Sequence, residues 1–268
     1  MTYSRPWRQY FTLVVEALPS ARGLLPLVAL LVAWQLLQTG NSPYFPPPSD
    51  WWNGLMLLAK SGRLYPALSA TTTTLLLGLA VAVVIGTGIG LLVGVFPRFS
   101  RAVGPLLEFL RAIPPPAVVP VAILFMGYDE RMKLTVVVLA AIWPILLNTS
   151  SAAERVHPLL LDVARSFRLS AVDRMRLIIL PSVVPAVLLG IRVALPVAIV
   201  VTLLVEILTS IEGIGALMIG AQRNFQSPQV YGLLVLIGLL GLLVNSVFAV
   251  FEAILLRRWP PKTQSENF

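Results

Sequence analysis

Uninterrupted apolar runs of about 20 residues recur along this 268-residue chain and constrain its fold more than any other feature. Such a run, as a helix, crosses about 30 Å of hydrocarbon. Backbone N–H and C=O groups find no water there, so a crossing segment must be a helix or part of a closed barrel. The runs are continuous rather than alternating, which selects helices. Charge is correspondingly scarce: 12% of residues are charged, against about 25% in a soluble chain. The expected fold class is an all-α polytopic membrane protein.

Six transmembrane helices are expected, within one domain over residues 24–256. The first runs from about Leu24 to Thr39, without a convincing cleavage site, and reads as a retained span. A proline-rich stretch follows, then Asp50-Trp51-Trp52, where paired tryptophans suit an interfacial anchor. The second span covers about Pro66 to Phe96. Gly78, Ala82, Gly86, Gly90 and Gly94 recur in it every four positions, a ridge that lets a neighbouring backbone approach closely. The third reaches about Gly127 and must break at Ile113-Pro114-Pro115-Pro116, because proline lacks a donor and clashes with the preceding turn. The fourth runs from about Leu134 to Thr149, the fifth from Pro181 to about Thr209, and the sixth from about Val230 to Leu256.

Lysine and arginine favour cytoplasmic loops. With both ends inside, thirteen such residues fall on the cytoplasmic side and five outside; Arg111 and Arg192 lie within spans. Residues 1–23 and 257–268 then read as cytoplasmic ends. The same bias accounts for the net charge of +8 without nucleic acid as a partner. Cysteine is absent and His157 is the single histidine, so thiol chemistry and histidine-rich metal sites are excluded. No Gly-x-x-x-x-Gly-Lys-Ser/Thr phosphate loop occurs either. The chain is expected to be no enzyme, with no catalytic residues, no metal and no cofactor of its own.

Between the fourth and fifth spans lies a polar insert, about residues 152–180, expected to form one or two short helices. Leu159, Leu160, Val163 and Phe167 recur at helical spacing as an apolar stripe, with Asp162, Arg165 and Arg168 beside it. A stripe edged with charge suits docking into a groove of another protein, and equally a helix lying in the headgroups.

The insert resembles the cytoplasmic Glu-Ala-Ala loop of bacterial ABC-importer permeases. Asp162-Val163-Ala164 stands at its start, with Ile178, Leu180 and Pro181 at the matching offset. Arg111 to Pro115, Leu146 to Thr149 and Glu206 to Gly215 resemble the sulfonate, taurine, nitrate and bicarbonate branch of that family. Three positions depart: Asp162 replaces the family's Glu, Val163 its Ala, and Arg168 its Gly. The resemblance implies a type I importer fold, with the insert as a coupling helix that seats Leu159, Asp162, Val163, Ala164, Arg165, Phe167 and Arg168 against an ATPase. It further implies two cytoplasmic ATPase subunits carrying ATP and magnesium, a second permease subunit (identical or a close paralogue), and an extracytoplasmic solute-binding protein. Small anions are the substrates it suggests. An ion-gradient-driven secondary transporter or channel is the rival reading.

Polar residues within spans are expensive and mark function. Arg192, Glu206, Asn148, Pro114 and Met218 are the candidates for a translocation path or gate, and Gly86, Gly90 and Gly94 for helix packing. Glu108 and Arg111, three apart on one helix, are expected to pair as ions. Asn148 is expected to hydrogen-bond between helices.

Overall fold

The computed structural model describes residues 21–38 and 44–256. Most of the expected cytoplasmic ends, and the end of the first expected span at Thr39, lie outside the described residues. The described chain is helical in eleven α segments: α1 (Ala21–Leu37), α2 (Pro48–Lys60), α3 (Leu64–Val95), α4 (Pro97–Ala112), α5 (Pro115–Met126), α6 (Glu130–Glu154), α7 (Pro158–Ser166), α8 (Ala171–Arg174), α9 (Leu180–Thr209), α10 (Ile214–Arg223) and α11 (Ser227–Leu256). Among the described residues, α3, α6, the continuous stretch Ala171–Thr209 and α11 are long and apolar enough to cross a membrane. The expected third span is the pair α4–α5, bent by 98°. The first is the shorter apolar helix α1.

The core is built on α6, sandwiched between α3 and α9. A Cβ on Gly86 would lie 3.1 Å from the Ile142 carbonyl oxygen, and one on Gly90 2.8 Å from that of Leu146. Gly94 abuts Ser150 and Ala153. Side chains at these positions would push the two backbones apart, so the four-residue ridge does what its spacing predicts, and α6 is its partner. Gly190 brings α9 onto the other side of α6, where a Cβ would lie 2.8 Å from the Ile145 Cα.

These contacts fix direction. From Gly78 to Gly94 the opposing residues on α6 rise from Val137 to Ala153, so α3 and α6 run parallel. Parallel neighbours need a return crossing between them, and only α4–α5 lies there. The bend falls where Ile113 and Pro114 are extended, with Pro115 opening α5. Twelve residues give α5 about 18 Å of length, too little to cross alone.

The insert is shorter than expected. α6 continues to Glu154, and the helix leading into the fifth span already starts at Ala171, ten residues before Pro181. A π-helical turn over Met175–Ile179 makes this possible: the Leu180 N–H donates five residues back to the Met175 carbonyl. Widening the turn makes room for a proline ring that would strike a regular helix. The tryptophan pair also divides. Trp51 is buried, its Nε1 donating to the Pro46 carbonyl (3.0 Å), and it stacks on Tyr231 and meets Trp34 edge-on. Trp52 alone faces outward.

The ridge supplies a direct test. Gly90→Val should lower the thermal midpoint of the detergent-solubilised protein, at a cost of about 1–3 kcal/mol from overpacking. Gly88→Ala should leave it unchanged, because nothing lies within 4 Å of a Cβ at Gly88.

Candidate functional site

The insert helix α7 begins at a proline, whose missing N–H is unneeded in a first turn. His157 caps it through Nδ1, accepting from the Leu159 N–H (3.2 Å). It ends in two reversed hydrogen bonds, Arg168 N–H to the Arg165 carbonyl and Leu169 N–H to the Ala164 carbonyl, both 2.9 Å. This closure requires a left-handed residue, usually glycine. Arg168 supplies it, at φ +53°. The turn that the resembling loop makes with glycine is therefore retained here, and Arg168 itself carries the strain.

The closure orients the helix. Leu159, Val163 and Phe167 project outward, at 62%, 42% and 76% exposure, while Leu160 is half-buried. Asp162 and Arg165 form an ion pair of 2.8 Å beside them. Ala164, grouped with these residues in the sequence, is buried at 1% and faces the chain's own interior. One face of α7 thus seats the helix, and the other presents an apolar stripe beside a charged pair.

At the opposite end of the bundle lies a buried ionic cluster. Lys133 and Glu206 are both fully buried, with Lys133 Nζ 3.5 Å from Glu206 Oε1. The ammonium also reaches Glu130 (2.8 Å) and donates to the Glu212 carbonyl (2.8 Å). The Glu206 carboxylate accepts from the Thr71 hydroxyl (2.9 Å) and the Gly215 N–H (2.9 Å), while Thr71 Oγ1 accepts from the Ile214 N–H. Side chains from α3, α6 and α9 therefore converge on the loop that opens α10. Gly213 lies directly against the Glu206 carboxylate, where no Cβ would fit. A cavity of about 460 Å³ beside this latch is lined by Thr73, Thr74, Glu130 and Glu212. It wets Glu130 but leaves Lys133 and Glu206 dry.

This placement corrects several expectations. Glu206, a candidate for a path or gate, is enclosed in this cluster, and its carboxylate lines no open path here. Lys133, in the first turn of α6, is the buried cation that the Glu206 carboxylate requires. Arg192 lies 3.8 Å from Glu252, which ties α9 to α11. Asn148 donates to the Pro144 carbonyl of its own helix (2.7 Å) rather than across helices. Met218 is half-buried against the cluster around Leu58, Leu64 and Leu233. Pro114 marks the bend. Glu108 and Arg111 are exposed and form no ion pair with each other among the described residues.

Parallel glycine-packed spans, a broken return crossing and a charged helix projecting from one end define a polytopic α-helical membrane protein. Residues 82–259 match the family described as binding-protein-dependent transport system inner membrane component, and the chain belongs to that family. It is thus a transport component rather than an enzyme. It is 29% identical to an aliphatic sulfonates transport permease protein of Bacillus subtilis, over 88% of this chain and 87% of that one. It is 29% identical to a bicarbonate transport system permease protein of Synechococcus elongatus, over 87% and 90%. A nitrate import permease protein of Leptolyngbya laminosa matches at 27%, over 81% of each chain. Among solved structures, a chain of the inward-facing MetNI methionine ABC transporter superposes with a TM-score of 0.62 and 16% identity, covering 73% of this chain and 97% of that one. This last likeness is one of fold, and it is the type I permease fold expected from the sequence.

Two consequences can be measured. Lys133→Met leaves a buried carboxylate without its cation and should cost about 3–5 kcal/mol, read as a fall in the thermal midpoint, with Lys133→Met/Glu206→Gln recovering much of it. Arg168→Gly should stabilise the closure of α7 by about 1 kcal/mol, read as slower proteolysis between residues 158 and 170.

Proposed function

We propose that this chain is the permease of an ATP-driven importer, with α7 as the helix that receives force from a cytoplasmic ATPase. The outward stripe of Leu159, Val163 and Phe167 carries this reading. It stands on a helix capped by His157 and flanked by the Asp162–Arg165 pair, and an apolar face edged with charge suits a protein groove. Ala164 supports the contact from behind by seating the helix. Because the chain carries no phosphate loop, ATP and magnesium belong to the partner.

The proposed assembly holds two permease subunits, two ATPase subunits and an extracytoplasmic binding protein, in a bacterial cell membrane. The lysine and arginine distribution supports an orientation with α7 and both termini in the cytoplasm. The latch of Lys133, Glu206 and Thr71 then closes the outer end. Movement of the ATPases shifts α7, and the continuous helix behind it carries that shift to the latch. Small anionic solutes fit the relatives, which are named for sulfonates, nitrate and bicarbonate.

Phe167→Asp tests the contact. ATP-driven uptake should fall about 10-fold or more, the scale set by loss of a central aromatic anchor. The ATPase chain should no longer co-purify through detergent, while membrane abundance of this chain stays unchanged. Uptake at the normal rate would refute the docking role.

A further inference from the structure

Helix α4 is amphipathic, yet little of its surface enters the bundle. At about 100° per residue, Arg98, Arg101, Glu108 and Arg111 fall on one arc, and Phe99, Leu106, Phe109 and Leu110 on the opposite one. Both arcs are exposed, and the helix buries no residue completely. Its half-buried residues, Ser100, Val103, Gly104 and Leu107, form a third stripe. Gly104 and Leu107 of that stripe line, with Leu146 and Ser150 of α6, a cavity of about 120 Å³. The stripe lies about 100° from the centre of each arc. A helix crossing lipid beside a bundle turns its apolar arc directly away from its contact stripe. A helix lying flat keeps the bundle at its side, acyl chains beneath and water above, and α4 has this second arrangement.

The bend agrees. α4 and α5 meet at 98°, so one limb runs close to the membrane plane when the other runs close to its normal. α5 is the crossing limb: it is apolar, and its Val119 and Ala122 are buried in the main core. Its length of about 18 Å gains up to about 16 Å from Ile113, Pro114 and the three residues 127–129, enough for the hydrocarbon. α4 starts where α3 ends, beside Ser150 and Ala153 at the α7 end of α6. Three arginines against one glutamate leave α4 with a charge of +2. None of these arginines has an ion-pair partner among the described residues; Arg101 Nε approaches the Pro97 carbonyl at 3.4 Å.

We infer that α4 lies in the headgroup layer of the cytoplasmic leaflet and binds anionic phospholipid there. From the importer reading it takes only the orientation of the bundle. Phe99, Leu106, Phe109 and Leu110 enter the acyl boundary, as the apolar face of an interfacial helix does. Arg98 and Arg101 donate to phosphate oxygens, which their guanidinium forks fit, and their apolar stems let the charge rise to the phosphate plane. A leaflet surface supplies both partners at once, phosphate above and acyl chain below, along all of the helix's length of about 24 Å. The excess positive charge selects anionic over zwitterionic headgroups, by about 5-fold for each arginine near the surface.

The chain has no cysteine, so each single-cysteine variant of the full-length protein carries one label. Depth is read from nitroxide accessibility to oxygen and to a water-soluble nickel chelate, in vesicles of phosphatidylglycerol and phosphatidylcholine. Arg101→Cys and Ala112→Cys, eleven residues apart on the charged arc, should be equally open to nickel. Phe99→Cys and Leu110→Cys, eleven apart on the apolar arc, should be equally open to oxygen. A crossing helix would separate the members of each pair by about 16 Å in depth, and such a gradient would overturn the inference. So would exclusion of both reagents at Phe99→Cys and Leu110→Cys, the signature of a protein partner over the apolar arc. Lipid class is read with a fluorophore on Ala102→Cys, quenched by brominated phosphatidylglycerol or brominated phosphatidylcholine. The anionic lipid should be preferred, and adding Arg98→Gln or Arg101→Gln should lower that preference about 5-fold. High salt should weaken it, while free inorganic phosphate at the same ionic strength should add nothing further. Equal quenching by the two lipids, no response to either arginine change, or the same preference at Leu243→Cys on the exposed face of α11 would sink the lipid site.

Discussion

Close approach of two backbones organises this protein. In lipid, apolar side chains gain little by leaving their surroundings, so helices associate through packing and hydrogen bonding. The glycines of α3 remove the side chains that would hold α6 away, and Gly190 does the same for α9. With α3 and α6 parallel, the chain must return between them. Everything distinctive about residues 97–129 follows: a crossing that turns through a near right angle, a short apolar half in α5, and an amphipathic half in α4.

Within that frame the two ends of the bundle are built differently. At one end α7 is local: its cap, its reversed closing bonds and its ion pair lie within a dozen residues. At the other end the latch is assembled from positions as distant as Thr71, Lys133, Glu206 and Gly215. A local element is set by its own segment and can move as a piece. A convergent cluster holds several helices at once and resists until the charges part together.

This difference explains what could be read before the structure. The glycine ridge and the proline break were visible because each depends on one residue type at fixed spacing. The insert helix was visible for the same reason, but its left-handed closure was not, because Arg168 stands where the resembling loop has glycine and adopts that conformation all the same. The latch was not visible. Lys133 sits beside Asp129, Glu130 and Arg131, which read as an ordinary polar turn, and only tertiary packing buries it. One signal was available: Glu206 is the sole acid in a long apolar run, and a carboxylate there demands a cation. The pairing of Arg192 with Glu252 was not visible, because the two lie sixty residues apart. The early start of the fifth span was hidden by Pro181, since a π turn is what lets a helix pass through it.

That turn has a mechanical consequence. Because helix is unbroken from Ala171 to Thr209, the segment beside α7 and the residues around Glu206 belong to one rod, about 58 Å from tip to tip. A tilt of about 5° pivoting at its lower third displaces the far tip by about 3 Å. The Lys133–Glu206 separation is 3.5 Å, so a swing of that size nearly doubles it.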